Sequence, residues 1–142
     1  MYAEFTDNLI TGNEMIDSQH KELIGKINDL MRACENESPN VKKTALATLA
    51  YLADYTEFHF GAEEKLQEEI GYPGIKEHKE KHNELRRVVA DLKNMLEEQE
   101  GPTEEFVQQV NKNVIEWLYY HIEGFDRSVA EYKNLKSNEN LI

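Results

Sequence analysis

The sequence predicts an all-α protein folded as an up-down-up-down four-helix bundle with a short C-terminal helix. Apolar side chains recur at intervals of three and four residues along four long segments, which is the spacing of one helix face. No segment alternates polar and apolar residues as a half-buried strand would. The three prolines and seven glycines fall mostly between the four segments, where short loops would make neighbouring helices antiparallel.

The first two helices are separated by a short polar stretch. The first helix is expected from about Asp17 to Cys34, and Cys34 lies on its apolar stripe, where a buried structural thiol is expected. Ser38 and Pro39 are typical of a helix start, as an N-cap followed by proline at the first helical position. They therefore predict where the second helix begins.

Glycine and proline mark the ends of the remaining helices. Residues 71–74, Gly-Tyr-Pro-Gly, separate the second helix from the third, and residues 101–102, Gly-Pro, separate the third from the fourth. After Gly124 a shorter amphipathic piece is expected to pack on the end of the bundle. The bundle takes residues 1–136 as one domain, and residues 137–142 form a polar tail that we expect to be frayed.

Composition narrows the class of function. Sixteen basic and 28 acidic side chains give a net charge of −12, which disfavours binding to nucleic acid or to an anionic membrane. We recognise no secretory leader and no apolar run long enough to span a membrane. A single cysteine cannot form an internal disulfide, which suits a reducing compartment, so we expect a cytoplasmic protein.

All five histidines lie on the core-facing stripes of their helices. A buried polar side chain left without a partner costs roughly 1–3 kcal/mol, so each histidine needs one. For a single histidine, a hydrogen bond to a carboxylate or carbonyl is the commoner explanation. Five inward histidines spread over four helices, with two carboxylates in matching places, favour a metal centre instead. The predicted ligands are His20, His59, Glu63, His78, His82, His121 and Asp126.

Helical spacing accounts for two pairs of these ligands. His59 and Glu63 are four residues apart and therefore share one face of the second helix. His78 and His82 have the same relation on the third helix, so each pair can converge on one metal ion.

Asp126 requires a departure from this regular spacing. It follows His121 by five residues, which on a regular α-helix turns it by about 140° around the axis. Both side chains can face one site only if the helix ends or distorts between them. Gly124 is well placed to allow this, because glycine relaxes the constraints on the backbone.

These motifs resemble the hemerythrin family, specifically its bacterial members, and the resemblance covers roughly residues 5–133. It implies a non-haem di-iron centre that binds dioxygen reversibly. The motifs are Asp17-Ser-Gln-His20, His59-Phe-Gly-Ala-Glu63, His78-Lys-Glu-Lys-His82, Trp117-Leu-Tyr-Tyr-His121 and His121-Ile-Glu-Gly-Phe-Asp126.

The resemblance also implies how the ligands divide between two iron ions. His78, His82 and His121 would hold one iron, His20 and His59 the other, and Glu63 and Asp126 would bridge them with a solvent-derived oxo or hydroxo group. The two-histidine iron would be one ligand short, and dioxygen would bind there. Glu64 competes for the bridging role, but its spacing of five residues from His59 turns it away.

An apolar pocket would surround the open position, lined by residues that also suit ordinary core packing. The matching positions are Leu23, Phe60, Trp117, Leu118 and Ile122. The chain departs from the family at Phe5, where tryptophan is common, and at Gln67, where methionine is common. Neither departure is expected to touch a proposed ligand.

The leading functional hypothesis is a dioxygen-binding protein for storage, delivery or sensing, and not an enzyme. The alternative is a di-iron enzyme that acts on peroxide or nitric oxide, or handles iron for cluster repair. No additional acid, base or redox cysteine near the site indicates turnover, so no catalytic residue is predicted. A purely structural metal is a third hypothesis, disfavoured because such sites are usually closed and need fewer ligands. Manganese or zinc in place of iron, small anions as ligands and a redox partner remain open.

Overall fold

A computed structural model of the chain describes residues 2–36 and 38–140, the last four of these by their backbone alone. No strand occurs among the described residues. A 3₁₀ turn at Asp7–Leu9 precedes α1 (Glu14–Glu35), α2 (Val41–Ile70) and α3 (Ile75–Glu98), and the fourth helix comprises α4 (Glu104–Val110), π1 (Asn111–Glu116), α5 (Trp117–His121), π2 (Ile122–Asp126) and α6 (Arg127–Asn140).

The packing of these helices confirms the predicted up-down-up-down bundle. Helix α1 packs on α2, α2 on α3, and α3 on α4 and π1, while α6 returns to α2. No helix within the described part of the chain is both long and apolar enough to cross a membrane.

Polar side chains and one left-handed glycine set the helix ends. The side chain of Asn13 caps α1 by accepting a hydrogen bond from the backbone nitrogen of Ile16 at 3.0 Å. Gly71 ends α2 with φ 65°, a conformation that suits glycine, and the nitrogen of Tyr72 donates to the carbonyl of Gln67 at 2.9 Å. This closure turns the chain sharply into α3.

The predicted start of α2 is wrong by two residues. Ser38 and Pro39 form a turn before the helix, in which the hydroxyl of Ser38 accepts a hydrogen bond from the nitrogen of Asn40 at 3.2 Å. Asn40 is the N-cap residue and Val41 is the first helical one. The serine-proline pair therefore orders the loop and does not cap the helix.

The C-terminal helix continues the fourth helix through π2 and does not form a separate piece on the end of the bundle. Backbone angles at the junctions on both sides of π2 remain in the right-handed helical region. Helix α6 reaches Asn140, beyond the predicted domain boundary at residue 136. The side chains of residues 137–140 and all of residues 141–142 lie outside the described part, so the polar tail stays a prediction.

Beyond the histidines the core continues as two apolar layers. Eight residues line one internal cleft on the side of the histidines that faces away from Glu63 and Asp126. On each helix they lie three and seven residues from the histidine, which is His20, His59, His82 or His121. The cleft is too narrow to admit a sphere the size of a water molecule. Its lining consists of Leu23, Thr56, Leu85 and Leu118 in the first layer and Ile27, Leu52, Val89 and Val114 in the second.

Candidate metal centre

The seven predicted ligands meet at the centre of the bundle and are buried. None of their side chains belongs to a residue more than 4% exposed, and Glu63, His78 and Asp126 are wholly inaccessible. Each of the four bundle helices supplies at least one of the seven. The structure therefore brings together every residue that the stripes and spacings selected.

The donor atoms form two overlapping groups, each suited in size to one metal ion. Within each group one nitrogen or oxygen per residue lies within 4.8 Å of the others. Glu63 and Asp126 belong to both groups, so the histidines divide three and two between them. The first group is Glu63, His78, His82, His121 and Asp126, and the second is His20, His59, Glu63 and Asp126.

Glu63 directs its two oxygens towards different histidine groups. Its Oε1 atom lies 2.7 Å from Nε2 of His78 and 3.6 Å from Nε2 of His82. Its Oε2 atom lies 3.3 Å from Nε2 of His59, one helical turn away on α2. This arrangement suits a carboxylate that bridges two ions.

Asp126 has the same two-sided arrangement. Its Oδ2 atom lies 2.8 Å from Nε2 of His20, and its Oδ1 atom lies 2.9 Å from Nε2 of His78 and 3.1 Å from Nε2 of His121. The side chain reaches the centre because π2 adds one residue to the helical turn between His121 and Asp126. The predicted distortion is thus confirmed, although Gly124 adopts no positive φ and a Cβ atom there would meet open space.

Two histidines are oriented from behind by polar side chains that we did not predict as part of the site. Nδ1 of His59 donates a hydrogen bond to Oε1 of Gln19 at 2.7 Å, and Nδ1 of His82 donates to Oε2 of Glu64 at 2.7 Å. A proton on Nδ1 leaves the Nε2 lone pair facing the centre, as a metal ligand requires.

Gln67 contradicts the expectation that it touches no proposed ligand. Its amide lies 2.8 Å from Nδ1 of His78, and its Oε1 atom is buried without a partner. An exchange of the two amide atoms would let this oxygen accept the Nδ1 proton, which would free Nε2 of His78. A helical signal was present, because Gln67 follows Glu63 by four residues and is itself a polar residue on the core stripe.

Burial and the two carboxylates shift the protonation of the centre. Burial lowers the pKa of His59 to about 4. Burial would also lower the pKa of His78, but hydrogen bonds to Asp126 and Glu63 outweigh it and raise that pKa to about 9. Burial would raise the pKa of Asp126, yet the charge of His121 and hydrogen bonds hold it well below its ordinary value. Without a metal, the centre keeps a proton on His78 between two carboxylates.

The polar atoms of the centre fit a metal better than they fit one another. Buried atoms without a hydrogen-bond partner include Nδ1 of His20, Nδ1 of His121 and Nε2 of His82. Native proteins rarely leave such groups unpaired, because each costs roughly 1–3 kcal/mol. Imidazole nitrogens and carboxylate oxygens are ligands that iron, zinc and manganese accept, so the donor set fits two such ions.

The predicted pocket residues do not all share one surface. Leu23 and Leu118 line the internal cleft, one turn from His20 and His121. The other three lie elsewhere around the centre: Phe60 stacks on His82 at 3.8 Å, Trp117 stacks on His121 at 4.4 Å beside an outer surface pocket, and Ile122 is fully buried in the core.

The bundle and its buried cluster define a helical protein with a site suited to two metal ions. A family model described as the hemerythrin HHE cation binding domain matches residues 11–132. The chain therefore belongs to the hemerythrin family, which confirms the resemblance seen in its motifs.

Similar proteins cover most of the chain. The bacteriohemerythrin of Stenotrophomonas maltophilia is 30% identical over 134 residues, which span 94% of this chain and 82% of that protein. That of Methylococcus capsulatus is 32% identical over 127 residues, 88% of each. A crystal structure of a mutant hemerythrin matches the fold with a TM-score of 0.76 at 25% identity, over 90% of this chain and 94% of that one.

We expect the metal-free protein to be most stable near pH 6.5. Below that pH the unfolded chain protonates His59 before the folded chain does, so stability falls towards pH 4. His78, whose folded pKa is about 9, contributes stability that is present below pH 6.5 and is lost as the pH rises to about 9. The alkaline loss amounts to at most roughly 3 kcal/mol.

Urea unfolding of chelator-treated protein between pH 5 and pH 9 measures this dependence. The metal-loaded protein is the control, since a bound ion replaces the His78 proton and removes the alkaline loss. A metal-free stability that rises from pH 6.5 to pH 9 would contradict the protonation described for His78.

Proposed function

We propose that the chain holds two iron ions at this centre and binds dioxygen reversibly. Membership of the hemerythrin family supports a di-iron, oxygen-binding protein. The observation that carries the proposal is the pair of overlapping donor groups, which share two buried carboxylates and divide five histidines unequally. Bound together, the two irons would supply the electrons for reversible dioxygen binding.

The unequal division follows from what α1 contributes. Four of the histidines, His20, His59, His82 and His121, come from different helices. One turn from them on the side of the carboxylates, three of these helices supply Glu63, His78 and Asp126. On α1 the corresponding residue is Ile16, which is apolar and fully buried. The two-histidine group therefore has one protein ligand fewer, and we propose that dioxygen enters there.

The internal cleft would keep water away from the histidines of the two-histidine group, on the side opposite Ile16. Its first layer begins one turn from the histidines and is lined by leucines and Thr56. The hydroxyl of Thr56 donates to the carbonyl of Leu52 at 2.7 Å, so this polar atom is already satisfied within α2. A dry surrounding favours reversible binding, because water and protons promote irreversible loss of the bound gas.

We propose binding rather than turnover as the role of the centre. Cys34, the single cysteine, is half-buried, and burial raises the pKa of its thiol to about 11. Such a thiol is mostly protonated near neutral pH and is a poor nucleophile or redox partner. Storage, delivery and partner-mediated sensing are all compatible with this proposal.

Gas uptake tests the proposal. Anaerobically reduced, iron-loaded protein should take up one dioxygen per two irons, measured with an oxygen electrode, and release it when the pressure falls. Consumption of dioxygen without release, together with conversion to a diferric form, would instead favour a di-iron enzyme.

We expect Leu118→Asn to speed autoxidation of the oxygenated protein. The substitution places an amide in the cleft wall, one turn from His121, where it would admit water to the site. The measurement is the rate at which the oxygenated spectrum decays in air. Leu118→Met keeps the wall apolar and should decay at nearly the original rate, whereas an unchanged rate in Leu118→Asn would count against the protective role of the cleft.

A further inference from the structure

The two groups of the centre differ in the charge that lies behind one histidine of each. His59, in the two-histidine group, donates from Nδ1 to the neutral amide of Gln19, and His82, in the three-histidine group, donates to the carboxylate of Glu64. Both hydrogen bonds measure 2.7 Å. The geometry is matched, and the two partners differ by one negative charge.

Packing holds this carboxylate in place behind His82. Phe60, one turn before Glu64 on α2, stacks on the His82 ring with centroids 3.8 Å apart and planes inclined by 8°. Arg86, one turn after His82 on α3, lies over the Phe60 ring, with its guanidinium carbon 5.2 Å from the ring centroid. Its Nη2 atom is 3.7 Å from Oε2 of Glu64. The Glu64 side chain is 18% exposed. Its position is thus fixed by two helices.

A carboxylate behind a metal-bound imidazole makes the ring a stronger donor than an amide does. The stronger donor stabilises the more highly charged state of the metal that it faces. We propose that Glu64 is a positioning residue that lowers the reduction potential of the three-histidine iron relative to the two-histidine iron. The inference rests on the proposed function, because it requires that both groups hold iron.

The negative charge of Glu64 determines which iron should have the lower reduction potential. The diferric protein should accept its first electron at the two-histidine iron, backed by Gln19, and its second at the three-histidine iron, backed by Glu64. Glu64→Gln keeps a hydrogen-bond acceptor for His82 but removes the charge, so the second potential should rise and the two should approach each other. Gln19→Glu adds a charge behind His59, so it should lower the first reduction potential and also reduce the difference between the two potentials.

Redox titration of iron-loaded protein, followed by visible absorption, tests the inference with a readout separate from gas binding. We expect Glu64→Gln to change the ferric-over-ferrous preference of one iron roughly tenfold, or about 59 mV for a one-electron step. Glu68→Gln is the matched control, since Glu68 lies on the same helix, is exposed and pairs with Lys79 at 3.3 Å rather than with Arg86 or His82.

A smaller difference between the two reduction potentials in Glu64→Gln and in Gln19→Glu, with unchanged potentials in Glu68→Gln, supports the inference. Unchanged potentials in Glu64→Gln with two irons bound would overturn it and leave the proposed function intact. An equal shift in Glu68→Gln would also overturn it, by showing a general effect of surface charge. Fewer than two irons in the unaltered protein would overturn the proposed function and this inference with it.

Discussion

Glu63→Ala should reduce the iron content from two per chain to at most one. Glu63 belongs to both donor groups, with one oxygen towards His78 and the other towards His59, so its loss removes a ligand from each ion. Loss of a single supporting contact to a ligand already weakens metal binding by roughly 10–100-fold, and loss of a shared ligand should exceed this. Metal analysis of reconstituted, desalted protein measures the content.

Two further variants distinguish loss of metal binding from loss of the fold. Breaking a buried ion pair costs about 3–5 kcal/mol, and Glu63→Ala leaves His78 without one of its carboxylates. Glu63→Gln keeps the shape and a polar contact and should also fail to hold two irons. Glu68→Ala removes an exposed carboxylate of the same helix and should hold two. Retention of both irons in Glu63→Ala would contradict the ligand assignment.

Insertion of one alanine after Gly124 should also prevent binding of two metals. The insertion rotates Asp126 and everything after it by about 100°, which turns the carboxylate away from His20 and His121. It also rotates the buried residues of α6, so we expect a loss of stability of several kcal/mol, as for other disrupted core packing.

Deletion of Gly124 is the matched control and should be tolerated. It removes the extra residue of π2, so that Asp126 follows His121 by four residues on a regular helix and remains on the same face. The residues of α6 keep their register. Metal content and urea unfolding of the two variants distinguish the cases, and equal behaviour of insertion and deletion would contradict the role given to π2.

The sequence predicted the centre better where the helix is regular than where it is not. His59 with Glu63, and His78 with His82, follow from the i,i+4 geometry of an α-helix, which depends on no tertiary contact. Asp126 reaches the centre only through a distortion of the helix. The sequence does not predict the form of this distortion, because continuous right-handed backbone through π2 has no local sequence signature of the kind that caps provide. For the same reason the sequence does not show that the C-terminal helix continues the fourth helix without a break.

Contacts between helices were the hardest to predict. Gln19, Glu64 and Gln67 each sit beside or one turn from a predicted ligand in sequence, but the histidine that each one orients lies on another helix. Their roles depend on the rotation of α1, α2 and α3 about their axes, which packing determines. The predicted helix start at Ser38 and Pro39 is wrong because these residues are favourable both in a turn and at a helix start, and here they form a turn.

The most direct test of reversible dioxygen binding is the visible spectrum of iron-loaded protein through repeated oxygen cycles. The protein is reduced without oxygen, exposed to air and then degassed, with the spectrum recorded at each stage. We expect a charge-transfer band that appears in air, disappears on degassing and returns with little loss in the next cycle. A spectrum that converts in one step to that of a diferric protein, and does not change on degassing, would contradict reversible dioxygen binding.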